Sequence, residues 1–139
     1  MIARDLMTPD PATVTPESSV AEVWDLMRDL DIRHVPVVQD GALVGMLSDR
    51  DLASLDVARL FKDESGEPAR RAFATRVVRV MRSDVIFVEP ETDVSDIVDL
   101  LIENKIGAIP VARSDTREVV GIVSYVDALR ALRELLEKS

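Results

Sequence analysis

The sequence predicts an α+β fold in which a strand-helix-strand-strand-helix unit occurs twice and packs as a pseudo-twofold pair. Three observations carry this. The same phrases recur in the same order, with Met81 following Met7 by 74 residues and Pro110 following Pro36 by 74. Each copy holds a stretch of helical period followed by short apolar runs separated by turn residues. Each copy also contains Gly-apolar-apolar-Ser-x-x-Asp, at Gly45 to Asp51 and Gly121 to Asp127, here 76 apart because the second copy has the longer turn. Self-similarity at a fixed offset marks a repeat architecture, and clefts where copies meet are where function is expected.

In the first copy Thr13-Val14-Thr15 is a short extended segment stopped by Pro16. Ser19 reads as a helix N-cap with Glu22 at the third helical position, a capping box. Val20, Val23, Trp24, Met27 and Leu30 follow at helical spacing and predict a core-facing stripe. Val35 to Val38 is an apolar strand, Asp40-Gly41 a tight hairpin turn, and Leu43 to Leu47 the returning strand. Ser48 opens a second helix through Leu52 that frays beyond residue 60.

The second copy repeats the order. Val77 to Val80 reads as its leading strand, Asp93 as a cap with Asp96 at the third position, and Val94, Ile97, Val98 and Leu101 as one helix face. Ile109 to Val111 is a strand, Arg113 to Glu118 the longer turn, and Val119 to Val123 the return. Ser124 starts a Leu- and Ala-rich helix that runs to the C-terminus. Pro36 and Pro110 stand inside apparent strands, which predicts strand starts or an edge, because proline has no N–H for a ladder. The polar stretch Lys62 to Ala69 reads as an exposed connector. The division is therefore repeat 1 over 1–60, connector over 61–76, and repeat 2 with its C-terminal helix over 77–139.

Composition narrows the function. The chain has 139 residues, 47% of them apolar and 31% charged, as in globular proteins. Each copy alone is marginal in size, so burial between copies is expected to supply much of the stability. No apolar run approaches the roughly 20 residues that span a bilayer. The N-terminus lacks a signal-peptide pattern, so a cytoplasmic location is expected. The absence of cysteine removes disulfides, thiol catalysis and thiolate metal sites together. A formal net charge of −9 disfavours nucleic acid or an anionic membrane as partner. It leaves room for a small anion held by local arginines and helix N-termini.

The Gly-x-x-Ser-x-x-Asp pattern has two readings. In one, Ser48 with Asp51 and Ser124 with Asp127 are capping boxes with aspartate in place of glutamate, and the glycine only permits a close turn. In the other, the helix N-terminus and serine hydroxyl accept a phosphate. The aspartate would then take a ribose diol, as acidic residues do in dinucleotide sites.

The ordered set of motifs resembles a pair of cystathionine-β-synthase (CBS) domains, a Bateman module. The matching residues are Met7-Thr8, Thr13 to Pro16, Ile32 to Val37 and Gly45 to Asp51 in the first copy. In the second they are Val80-Met81, Val88 to Pro90, Ile106 to Val111 and Gly121 to Asp127. The resemblance implies tandem CBS repeats forming a stand-alone regulatory module that senses energy state or a metabolite. Its ligand would be an adenine compound: AMP, ADP, ATP, S-adenosylmethionine or NAD. It also implies a homodimer and an effector protein that reads the bound state. Composite clefts are implied as well. Cleft A would use Thr8, Ala12, Thr13, Ile32, Arg33 and His34 with Ser124, Val126 and Asp127. Cleft B would use Arg82, Ile86, Phe87, Ile106, Gly107 and Ala108 with Ser48, Arg50 and Asp51. Asp51 and Asp127 would hold ribose, Ser48 and Ser124 phosphate or ribose oxygens, and Ile32 and Ile106 would pack on adenine. Arg33 and His34, against Gly107 and Ala108, predict unequal affinities, with cleft A favoured for a multiply charged phosphate.

His34 is the only histidine and finds no second histidine or cysteine, so no transition-metal site is expected, and no ligand spacing suits Mg²⁺. The resemblance does include members that respond to Mg²⁺. No Gly-x-Ser-x-Gly elbow or Gly-x-x-x-x-Gly-Lys loop is present, and no carboxylates can be assigned as acid and base, so the chain is not expected to be an enzyme. No catalytic cofactor is expected, only a regulatory ligand. The competing reading is a ligand-free dimerisation scaffold in which both Ser-x-x-Asp pairs are only caps.

Overall fold

A computed structural model describes residues 1–53 and 73–138. They form two compact units, one of Met1–Pro11, Gly41–Leu43 and Ile86–Ser139, the other of Ala12–Asp40 and Val44–Val85. Each repeat's leading segment therefore belongs to the unit built on the other repeat.

The unit holding the second repeat contains α1 (Ala3–Leu6), β1 (Thr8–Pro9), α4 (Val94–Asn104), β4 (Ala108–Ala112), β5 (Val119–Ser124) and α5 (Tyr125–Glu137). Its antiparallel sheet has the order β1-β5-β4, with Thr8 opposite Ile122 and Pro110 also opposite Ile122. The core joins Ala3, Val88, Ile97, Leu101, Ile109, Val111 and Val123. The unit holding the first repeat contains α2 (Val20–Leu30), β2 (His34–Gln39), α3 (Asp49–Ala53) and most of β3 (Ala42–Ser48). Strands β2 and β3 form the two-stranded sheet, and Val14, Val20, Val23, Met27, Val35, Val37, Leu47, Leu52 and Val77 form the core.

Local chemistry explains most elements. Ser19 accepts from the Glu22 amide at 3.2 Å while the Glu22 carboxylate faces the Ser19 amide, closing the expected box. Asp40 and Gly41 both have positive φ (52° and 81°), the combination that suits a two-residue hairpin turn. The two prolines end a parallel pairing after one rung. Val14 donates to the Pro36 carbonyl (3.1 Å) and Val38 donates back to Val14 (2.8 Å). The next rung would run from residue 36 to the Ala12 carbonyl, and Pro36 has no N–H to make it. Val88, Pro110 and Ala112 repeat this pattern at 3.1 and 2.9 Å, leaving the Ile86 carbonyl in the place of Ala12's.

Three local expectations differ from the structure. Val77 to Val80 is not a strand: Val77–Arg79 is a 3-10 helix. Its first two amides are taken by the turn before α2, with Val77 donating to Ser18 (2.8 Å) and Val78 to Pro16 (3.0 Å). Asp96 does not complete a box with Asp93. The adjacent Ser95 outcompetes it, giving Asp93 both its amide (3.1 Å) and its hydroxyl. Those hydrogen bonds, the hydroxyl first, hold the Asp93 pKa below its usual value. Trp24 and Leu30 are not core: Val20, Val23 and Met27 define the buried stripe, with Trp24 beside it, 46% exposed, and Leu30 at the helix end, 53% exposed. The expected continuation of the second helix beyond residue 60, and connector residues 61–72, lie outside the described residues.

Candidate functional site

The two Ser-x-x-Asp motifs fold alike, each in its own unit. At the end of β3, Ser48 N–H donates to Asp51 Oδ2 (2.8 Å), Ser48 Oγ donates to the same oxygen (3.0 Å), and Asp51 N–H donates to Ser48 Oγ (3.3 Å). At the end of β5 the corresponding distances for Ser124 and Asp127 are 2.8, 3.1 and 3.2 Å. Both are capping boxes, as the first reading predicts. The first helical amide is also committed in each, from Asp49 to the Arg33 carbonyl (2.9 Å) and from Tyr125 to the Gly107 carbonyl (3.0 Å). A phosphate at either helix start would therefore find two of the first three amides already donating inside the protein.

The boxes also orient the two carboxylates. They fix each carboxylate through Oδ2 and turn Oδ1 toward cations, Arg82 Nε for Asp51 (3.3 Å) and Arg130 Nη1 for Asp127 (3.5 Å). The Asp127 side chain is 8% exposed and that of Asp51 13%. A nearly buried carboxylate must keep hydrogen-bond partners, and vicinal hydroxyls are suitable donors.

Strand position explains where the remaining predicted residues lie. In the unit of the first repeat, Ile32 is partly buried against the core, Arg33 is exposed, and His34 is half-buried at the start of β2. Burial is the larger influence on His34 and lowers its pKa below the ordinary 6.5. The Asp49 and Asp51 carboxylates pull it back, and the Arg33 guanidinium lowers it further. The imidazole is accordingly neutral at pH 7. Ala12 is partly buried, while Thr13 and Arg50 are exposed. In the other unit Ile106 packs against the core, Ala108 is buried in β4, Ile86 and Gly107 are half-buried, and Thr8 and Val126 are exposed. Thus Ser48 and Asp51 share a unit with Arg33, His34 and Arg82, and Ser124 and Asp127 share one with Thr8, Ile106 and Gly107.

Three features were not read from the sequence. The Arg117 guanidinium lies over the Phe87 ring, 5.0 Å from its centroid, a cation–π contact. Arg130 meets Asp127, a partnership that its three-residue spacing on the helix could have signalled. Gly45 and Gly121 are crossed closely by Met81 and Met7, which pass where a side chain would stand. Among the described residues no His, Cys, Asp and Glu cluster could hold a metal ion, and no helix is long and apolar enough to cross a membrane.

The profile described as CBS domain matches residues 3–58 and 77–134. The chain is 32% identical over 124 residues to the CBS domain-containing protein YhcV of Bacillus subtilis, covering 89% of this chain and 80% of that protein. The crystal structure of a putative acetoin utilization protein, AcuB, from Vibrio cholerae is similar at TM-score 0.80 and 32% identity, over 99% of this chain and 93% of that one. The crystal structure of CBSX2 in complex with AMP is similar at TM-score 0.79 and 28% identity, over 96% and 97%. Some relatives are longer: the chain spans 46% of the Methanocaldococcus jannaschii protein MJ1225. The repeat, the two capped helix starts and the profile match converge, and the chain belongs to the CBS domain family as a tandem pair.

Proposed function

We propose that the chain is a regulatory module that binds an adenine-containing ligand, AMP, ADP or ATP in the first instance, with NAD and S-adenosylmethionine as further members of the class. The observation that carries the reading is the pair of nearly buried carboxylates held through one oxygen, with the second facing an arginine. Asp51 and Asp127 accept ribose hydroxyls on this reading, Ser48 and Ser124 lie beside ribose or phosphate oxygens, and Ile32 and Ile106 pack on the base. The likeness to CBSX2, crystallised with AMP, supports the ligand class. Arg33 and Arg50, both exposed near a capped helix start, are the cations for phosphate. Ligand binding shifts shape or assembly only by its differential affinity for the two forms. The exposed Leu129, Leu132 and Leu136 of α5 are the surface through which a second copy or an effector reads that shift.

Calorimetric titration of the five ligands into wild type, Asp51→Asn and Asp127→Asn tests the reading. Asparagine removes the charge and keeps an amide oxygen that can accept from the serine. Micromolar binding of at least one ligand, on the order of −8 kcal/mol, with one site lost in each variant, is the expected result. A second reading, the ligand-free scaffold, is favoured by the self-satisfied caps, and absence of binding to folded, ligand-free protein would establish it.

A further inference from the structure

The two repeats place different side chains at one matched position beside the helix start. Arg82 and Met46 exchange two backbone hydrogen bonds, Met46 N–H to the Arg82 carbonyl (2.9 Å) and Arg82 N–H to the Met46 carbonyl (2.9 Å). That bridge lies next to Gly45, whose missing side chain admits Met81. The backbone at residue 82 is thereby pinned to β3, two residues before Ser48, and its side chain reaches Asp51 Oδ1 at 3.3 Å. In the other unit Thr8 occupies the corresponding place, opposite Ile122 of β5. Threonine carries no charge, and Asp127 Oδ1 instead meets Arg130 of its own helix, at 3.5 Å.

The geometry points to Arg82 as a guard on Asp51: its guanidinium occupies the carboxylate oxygen a ribose would use, so that the Asp51 site discriminates against ligands without phosphate. This rests on the ribose reading of Asp51. A ribose diol approaching Oδ1 must break the ion pair. An uncharged nucleoside offers the released guanidinium nothing in return. A phosphorylated ligand offers it a phosphate, which arginine holds with paired hydrogen bonds. The Arg82 side chain is 64% exposed and that of Asp51 13%, so the arginine can swing through water while the carboxylate stays fixed. Thr8 imposes no such toll, and the contact to be displaced at Asp127 is the longer one from Arg130 of its own helix, at 3.5 Å.

The experiment compares adenosine with AMP by calorimetry in wild type, Arg82→Thr, Arg82→Gln and Thr8→Arg, with Asp51→Asn identifying the site. Arg82→Thr and Arg82→Gln are expected to tighten adenosine at the Asp51 site by about two- to fivefold, the range of an exposed ion pair. AMP gains less or weakens, because it loses the released arginine. Thr8→Arg is expected to weaken adenosine at the Asp127 site. Unchanged or weaker adenosine binding in both Arg82 variants overturns the guard while leaving the nucleotide site standing. Failure of both adenosine and AMP to bind any folded form overturns the ribose reading itself, and the guard with it.

Discussion

Adding one methyl group at Gly121 is the sharpest perturbation of how each leading segment joins its unit. A Cβ at residue 121 would lie 2.8 Å from Met7 Cγ and 3.0 Å from Met7 Cβ, with the sulfur closer still. At Gly45 the equivalent contacts are Met81 Sδ at 2.6 Å, Met81 Cγ at 3.1 Å and the Arg82 carbonyl at 3.2 Å. The clash at residue 45 falls mainly on the flexible end of Met81, which can change rotamer. The clash at residue 121 reaches the root of Met7, so the backbone must move. Overpacking of this kind costs about 1–3 kcal/mol, and replacing glycine by alanine returns about 0.5–1 kcal/mol. Gly121→Ala is therefore expected to destabilise by about 2 kcal/mol and Gly45→Ala by about 1 kcal/mol. For a chain of this size 2 kcal/mol lowers Tm by about 4–10 °C. Urea denaturation followed by circular dichroism, with Met7→Ala and the double variant, completes the cycle. The double variant is expected to lose less than the sum of the single changes, with a coupling near 1 kcal/mol. A neutral Gly121→Ala, a larger loss at Gly45, or strict additivity refutes the reasoning.

Other outcomes follow from single residues. Lys105 closes α4 in the left-handed region (φ 53°, ψ 42°), and Asp31 closes α2 the same way (φ 53°, ψ 48°). Lys105→Gly is expected to stabilise by about 0.5 kcal/mol and Asp31→Gly by less, since aspartate tolerates that conformation better than lysine; equal or reversed effects in thermal melts would contradict this. His34 has a folded-state pKa below the 6.5 of the unfolded chain. As pH falls through about 6.5 the unfolded chain takes the proton first, so stability declines until the depressed folded-state value is reached and then levels off. Melting wild type against His34→Gln across that window is expected to show a shallower slope in the variant, and identical slopes would remove His34 from the account.

What was legible in the sequence was legible because it is local. Ser19 with Glu22, Asp40-Gly41, and Ser124 with Asp127 satisfy their own neighbours within three residues, and each appears as read. The valine-rich run Val77 to Val80 misled because its first two amides answer to Ser18 and Pro16, some sixty residues earlier in the chain. Trp24 misled because periodicity gives a stripe but not its width, and three smaller residues already filled it. At the candidate site the serines and aspartates could be read twice over, as caps and as ligand groups, and the caps are present in full. The resemblance put Arg82 and Asp51 in one cleft, but their ion pair was not legible, since 31 residues separate the two and the bridge to Met46 brings them together.

The central claim is that the capped Ser-x-x-Asp helix starts receive an adenine nucleotide. An amide-resolved NMR titration of the uniformly ¹⁵N-labelled protein with AMP tests it most directly. The account predicts saturable shifts at the amides of Ser48, Asp51, Ser124 or Asp127, because a ribose on the carboxylate perturbs the hydrogen bonds that close each box. Shifts confined to other surfaces, or none at saturating AMP, would contradict it and leave the motifs as helix caps alone.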